Sequence, residues 1–175
     1  MKKIKIIIFA LIILLIVVSI FFVIKKFSFV KNTGVHLETE FSAEAVINID
    51  KKNYECDFSH LSGTTKINIK KPETVKGLII EWSNGKQIIS FKDLKKEFDK
   101  PVIPKDSFLN LIVKILDNFT TIPINKIKND GRREVFIGKF ENNEFEITLE
   151  NSKIIEIFIK SKDAKINFEY HERLG

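Results

Sequence analysis

The sequence predicts a mainly β (α+β) protein: an N-terminal transmembrane helix, then a strongly curved antiparallel sheet, or half-barrel, packed on one inner apolar helix. Three observations predict it. Ile4 to Ile24 is a stretch of 21 residues, apolar but for Lys5 and Ser19. From Phe41 onward, short segments of alternating apolar and polar residues are separated by Asn, Asp, Gly and Ser, the pattern of strands joined by tight turns. One segment, Phe108 to Phe119, is too long and too uniformly apolar for a strand and carries a capping residue before it.

A helix over Ile4 to Ile24 spans about 31 Å, which matches the roughly 30 Å hydrocarbon core of a bilayer. A secretory signal has a shorter apolar core of about 7–15 residues and a small-residue cleavage site, whereas this stretch exits into Phe21-Phe22-Val23-Ile24-Lys25-Lys26. The expectation is therefore an uncleaved single-pass anchor, residues 1–26, a juxtamembrane linker, residues 27–37, and one domain, residues 38–175. Lys2, Lys3, Lys5, Lys25, Lys26 and Lys31 are six of the 29 basic residues, and the first acidic residue is Glu38, so 23 basic and 23 acidic groups remain in the domain. The net charge of +6 thus belongs to the anchor. That distribution excludes nucleic acid as a partner and favours anionic headgroups. Lysines at both ends leave orientation undecided by charge, but a three-residue tail holds no domain, which favours the C-terminal domain outside the cell membrane.

Within the domain, Phe41, Ala43, Ala45, Ile47 and Ile49 share one strand face, and Asp50-Lys51-Lys52-Asn53 reads as a turn before a strand over Tyr54 to Ser59. Thr64 to Ile69 alternates again. Leu78 to Trp82 and Lys86 to Phe91 are joined through Ser83-Asn84-Gly85, whose Asn-Gly pair favours a type I′ hairpin. Asp106 or Ser107 caps a helix over Phe108 to Phe119, apolar at Phe108, Leu109, Leu111, Ile112, Val113, Ile115, Leu116 and Phe119. So wide an apolar surface needs cover on more than one side. Four strands follow, Arg132 to Phe140, Glu144 to Leu149, Lys153 to Lys160 and Ala164 to His171, joined by turns short enough for an antiparallel meander. The total is about nine strands, with the helix between the fifth and the sixth.

The run Lys71-Pro72-Glu73-Thr74-Val75-Lys76-Gly77-Leu78-Ile79-Ile80-Glu81-Trp82-Ser83-Asn84-Gly85-Lys86 resembles a segment of LolA-type (LolA/LppX-like) lipoprotein-carrier domains, where a proline and a glycine precede a strand, a tight hairpin and a second strand. It is most similar to the Gram-positive branch that includes the clostridial germination lipoproteins, the GerS group, and Lys105-Asp106-Ser107-Phe108-Leu109 stands where that family begins its inner helix. In element order the resemblance covers roughly residues 38 to 171. It implies a half-barrel in the cell envelope, with links to sporulation and germination. The chain departs from it twice: there is no lipobox cysteine, and the arginine of an early strand is at best Lys66, so neither lipid anchoring nor a role for that arginine carries over.

Catalysis is not expected. The candidates are His36, His60, His171 and Cys56, and Cys56 and His60, four residues apart on one strand, stand about 13 Å from each other, beyond the reach of a nucleophile and its base. No spaced ligand set implies a metal, and no glycine loop implies a nucleotide, so no cofactor is expected. Cys56, between Tyr54 and Phe58 on one strand face, is either a buried structural cysteine or the site of an intermolecular disulfide in a homodimer. The chain has 16 Phe against two Tyr and one Trp, so most rings belong in an apolar interior. That interior is either filled or, as the resemblance implies, accepts an acyl chain lined by Trp82, Phe91, Phe108, Leu111, Ile112 and Ile115.

Two functions follow as expectations. The first is a non-catalytic, membrane-anchored interaction module that binds an exported cell-wall enzyme, as GerS-like proteins are understood to act on a spore-cortex amidase. The second is a binding protein, carrier or sensor for a lipid or lipoprotein acyl chain. A fixed anchor argues against shuttling cargo and favours the first. A pilin-like subunit is disfavoured, because the N-terminal helix lacks the acidic residue and the processing glycine of pilins.

Overall fold

The computed structural model describes residues 39–170. The expected span Ile4 to Ile24, the linker 27–37, His36 and His171 lie outside the described residues, and among the described residues no helix is long and apolar enough to cross a membrane. Among the described residues eleven strands and one α-helix succeed one another: β1 (Phe41–Ile49), β2 (Lys52–Leu61), β3 (Thr64–Lys71), β4 (Leu78–Ser83), β5 (Lys86–Phe91), β6 (Leu94–Phe98), α1 (Phe108–Asn118), β7 (Ile124–Asn129), β8 (Arg133–Phe140), β9 (Asn143–Glu150), β10 (Lys153–Ile159) and β11 (Ala164–Glu169). They form one open sheet in the order β6-β5-β4-β3-β2-β1-β11-β10-β9-β8-β7. Every neighbouring pair is antiparallel, including β1 with β11, which joins the two meanders.

The count of strands corrects the expectation of nine, and the helix lies between the sixth and seventh strands rather than the fifth and sixth. The two additional strands, β6 and β7, are the free edges of the sheet. Their residues are almost all exposed, so neither shows the alternation that burial of one face imposes on a sequence. Both edges carry lysines, Lys95 and Lys96 on β6 and Lys126 and Lys128 on β7, and β7 is interrupted by a register shift between Lys126 and Lys128. Lysines and bulges are devices that oppose strand addition at an open edge.

Short turns set the register. At Asn84-Gly85 both residues have positive φ, 51° and 76°, as the type I′ hairpin requires. The first turn is shorter than expected: Asp50 and Lys51 alone form it, at φ 50° and 60°, and Lys52 already pairs with Ile49. Ser107 caps α1 as anticipated, its hydroxyl accepting from Asn110 N at 3.4 Å.

Ten inter-strand spacings of about 4.8 Å would make a flat sheet roughly 48 Å wide, whereas a helix with its side chains is about 10–12 Å across. One helix serves as cover only if the sheet bends around it. The burial pattern agrees, since inward residues from both meanders, Phe58, Ile67, Ile147, Ile157 and Ile166, are sealed together with Leu111, Ile112 and Ile115 of α1 in one apolar core. Lys114 of α1 reaches Glu141 in the β8–β9 turn at 2.8 Å, and Asp106 before the helix meets Lys162 at 3.2 Å. Outside, Glu44 and Asp57 are cross-strand partners of like charge. Lys70 lies between them, 2.8 Å from Glu44 and 2.6 Å from Asp57.

On β8, Gly138 pairs with Phe145 of β9, whose ring lies over the glycine, with Cε1 at 2.8 Å and Cε2 at 2.9 Å from the place a Cβ would take. Phe145 is fully buried and cannot swing aside. Gly138→Ala should therefore destabilise the domain by about 1–3 kcal/mol, as overpacking of a filled core does. A chemical-denaturation midpoint unchanged from wild type would refute this.

Candidate functional site

An apolar cleft of about 360 Å³ opens between the N-terminal end of α1 and the inner face of β1–β4. From the sheet come Ile47 and Ile49 of β1, Tyr54 of β2, Ile69 of β3, and Leu78 and Ile80 of β4. Val75, in the β3–β4 connection, and Ile103, before α1, close its sides, while Phe108 and Leu109 project from the first turn of the helix. Period two and helical spacing thus converge: inward-facing residues at the ends of β1–β4 make one wall, and the first turn of α1 supplies the opposite one. Polar groups are few. Ser107, already engaged as the helix cap, and Asp50, in the β1–β2 turn, join Tyr54, and Asp50 is the one charged residue of the wall.

Beside the cleft, the inner face carries a polar row that crosses four strands. His60, Thr65, Trp82 and Gln87 are successive cross-strand partners on β2, β3, β4 and β5, and all are buried. His60 Nδ1 lies 2.7 Å from Thr65 Oγ1, and its Nε2 lies 3.7 Å from Asp117 Oδ1 near the C-terminal end of α1. Which of His60 Nδ1 and the threonine hydroxyl donates depends on the imidazole tautomer, and Asp117 faces the other ring nitrogen. Burial pushes the His60 pKa below its ordinary value of 6.5, and the Asp117 carboxylate only partly offsets that. Thr65 is 0 % exposed, and the group links the inner face of the sheet to the C-terminal end of α1. At the other end of the row, Gln87 Oε1 accepts from the backbone N–H groups of Val102 and Ile103, at 2.9 and 3.1 Å. One side chain thereby holds the strap that forms part of the cleft wall.

Of the residues expected to line a cavity, Phe108 lines the cleft. Leu111, Ile112 and Ile115 are buried in the core from the same helix, and Trp82 is buried in the polar row. Phe91 is half-buried, paired with Leu78 of the cleft wall, its ring covered by Lys92. Cys56 is 1 % exposed, and its thiol is pushed up to about 12, chiefly by burial and then by the charge of Asp57, against an opposing pull from Lys70. Such a thiol yields little of the thiolate that disulfide exchange needs. Lys66, standing where the resemblance has an arginine, is exposed and pairs with Ser59 and Glu81. Ile47, Ile49, Ile69, Leu78 and Ile80 were readable as strand residues, but only the cross-strand register brings them onto one wall.

No protein-family model matches the sequence, and no curated protein matches it. Among solved structures the chain is similar to an uncharacterized conserved protein from Thermus thermophilus, with 8% identity, 77% of this chain and 79% of that chain covered, and a TM-score of 0.49. It is also similar to a LolA superfamily protein from Nitrosomonas europaea, with 9% identity, 78% and 73% covered, and a TM-score of 0.41.

The His60 contact yields a pH signature. A histidine whose folded pKa lies below its unfolded one contributes stability that is present above about pH 6.5 and lost as pH falls through the folded pKa. The denaturation midpoint of the wild type should therefore drop more steeply between pH 8 and 5.5 than that of His60→Gln. Parallel pH profiles for the two proteins would show that His60 does not titrate with folding.

Proposed function

We propose that the domain is a non-catalytic binding module for a single acyl chain, held at the extracytoplasmic face of the cell membrane by Ile4 to Ile24. The observation that carries this reading is the apolar cleft between α1 and the curved sheet. Its volume of about 360 Å³ lies at the small end of the roughly 300–1,000 Å³ typical of ligand pockets, which suits one chain and not the several of a lipoprotein anchor. Burying about ten methylenes contributes about 8 kcal/mol at about 0.8 kcal/mol each, and association opposes that with about 4 kcal/mol or more. Binding is then reversible, as a sensor or local carrier requires. The resemblance of Lys71 to Lys86 to LolA-type domains supports the same ligand class.

The interaction module that activates a cell-wall amidase takes second place. Both free edges of the sheet carry lysines, and β7 is also irregular in register, which opposes recognition by strand addition and a homodimer built edge to edge.

Native mass spectrometry of the chain purified from its own cells tests the first reading. A lipid-sized mass should accompany the chain and be lost on denaturation, and Leu78→Trp, which fills the cleft from β4, should remove the adduct while leaving the melting temperature within a few degrees. A ligand-free wild type that also refuses added acyl lipids would overturn the reading.

A further inference from the structure

Among the described residues, two buried side-chain donors make no hydrogen bond: Trp82 Nε1–H and Gln87 Nε2–H₂. They are not scattered. Trp82 and Gln87 are direct cross-strand partners in the β4–β5 hairpin, with 6 % and 0 % exposure. An indole N–H that is buried ordinarily finds an acceptor, and each unpaired buried donor costs about 1–3 kcal/mol. As cross-strand partners on one sheet face, the two donors can be answered together by one acceptor oxygen.

That place adjoins the cleft. Ile80, a wall residue, precedes Trp82 by two positions on the same face of β4, about 7 Å along the strand. Ile103, another wall residue, is hydrogen-bonded through its backbone to Gln87 itself. The surroundings also specify charge. The cleft wall includes no lysine, arginine or histidine, and its one charged residue, Asp50, is acidic. A carboxylate drawn into this interior would be buried without a counter-ion and repelled at the rim, whereas an uncharged carbonyl needs only the two neutral donors.

We propose that the cleft takes an uncharged acyl ester or amide in preference to a fatty-acid anion, with Trp82 Nε1–H and Gln87 Nε2–H₂ donating to its carbonyl oxygen. The proposal rests on the acyl-chain reading above and names the ligand class. The donors are sealed from solvent, so entry of the carbonyl requires local opening beside the strap that Gln87 holds.

Trp82 is the single tryptophan of the chain, so one indole N–H signal reports on the site. The full chain, labelled with ¹⁵N-tryptophan and kept soluble in amphipol, is titrated with three probes of equal chain length: 1-monododecanoylglycerol, the corresponding dodecyl glyceryl ether without a carbonyl, and dodecanoate at pH 8. Native mass spectrometry follows occupancy in parallel. The ester should bind and move the indole proton downfield. The ether should bind without that shift, and dodecanoate should bind more weakly than the ester. Trp82→Phe should weaken the ester about tenfold, as loss of one neutral hydrogen bond does, and leave the ether unchanged. Ester binding with an unmoved indole signal would overturn the carbonyl assignment while leaving the acyl-chain reading intact, as would a shift reproduced by the ether. Dodecanoate binding as tightly as the ester would overturn the preference for an uncharged ligand. Failure of all three probes to bind would overturn the acyl-chain reading and the proposal together.

Discussion

The structure depends on the broad apolar face of one helix, which leaves only the strip of Asn110, Lys114, Asp117 and Asn118 polar. Seven of the eleven residues of α1 are buried, and a surface of that kind is stable only when it is enclosed. A sheet that covers it must curve, and the pair β1–β11 joins two meanders of short hairpins into that one open sheet, with β6 and β7 as its edges. Gly138 under Phe145 belongs to the same constraint, since the ring needs room that a side chain on β8 would take.

The two ends of the helix have different surroundings. Near its C-terminal end, Asp117 meets His60 and through it Thr65, a polar contact within the inner face of the sheet. At its N-terminal end the neighbours are apolar wall residues and a strap held by two hydrogen bonds to Gln87. One end meets the sheet through polar contacts, while the other borders the apolar cleft. The site is therefore a by-product of how the helix is seated, with the strands serving as both core and wall.

Legibility in the sequence followed burial. Strands with one buried face, such as Phe41–Ile49 with its alternating Phe, Ala and Ile, announced themselves, as did the Asn84-Gly85 hairpin and the Ser107 cap. Leu94–Phe98 and Ile124–Asn129 did not, because an exposed edge strand imposes no period on its residues. The candidate site was legible at Phe108 and less so elsewhere. Trp82 could be read as interior, but its pairing with Gln87, and that of His60 with Thr65, arise from register between strands, which no local window contains. Gly138 looked like any other glycine until its cross-strand partner was known.

The lysine-bearing edges have a consequence for how the protein lives among its own copies. An open sheet of eleven strands exposes two rows of unpaired backbone groups, and such rows template fibrils when chains are crowded. Lys95 and Lys96 on β6, and Lys126 and Lys128 on β7, place ammonium groups along those rows. A strand added at either edge must accommodate those charges. A Phe-rich domain thus carries, on the very strands that could template stacking, a charge penalty against being extended.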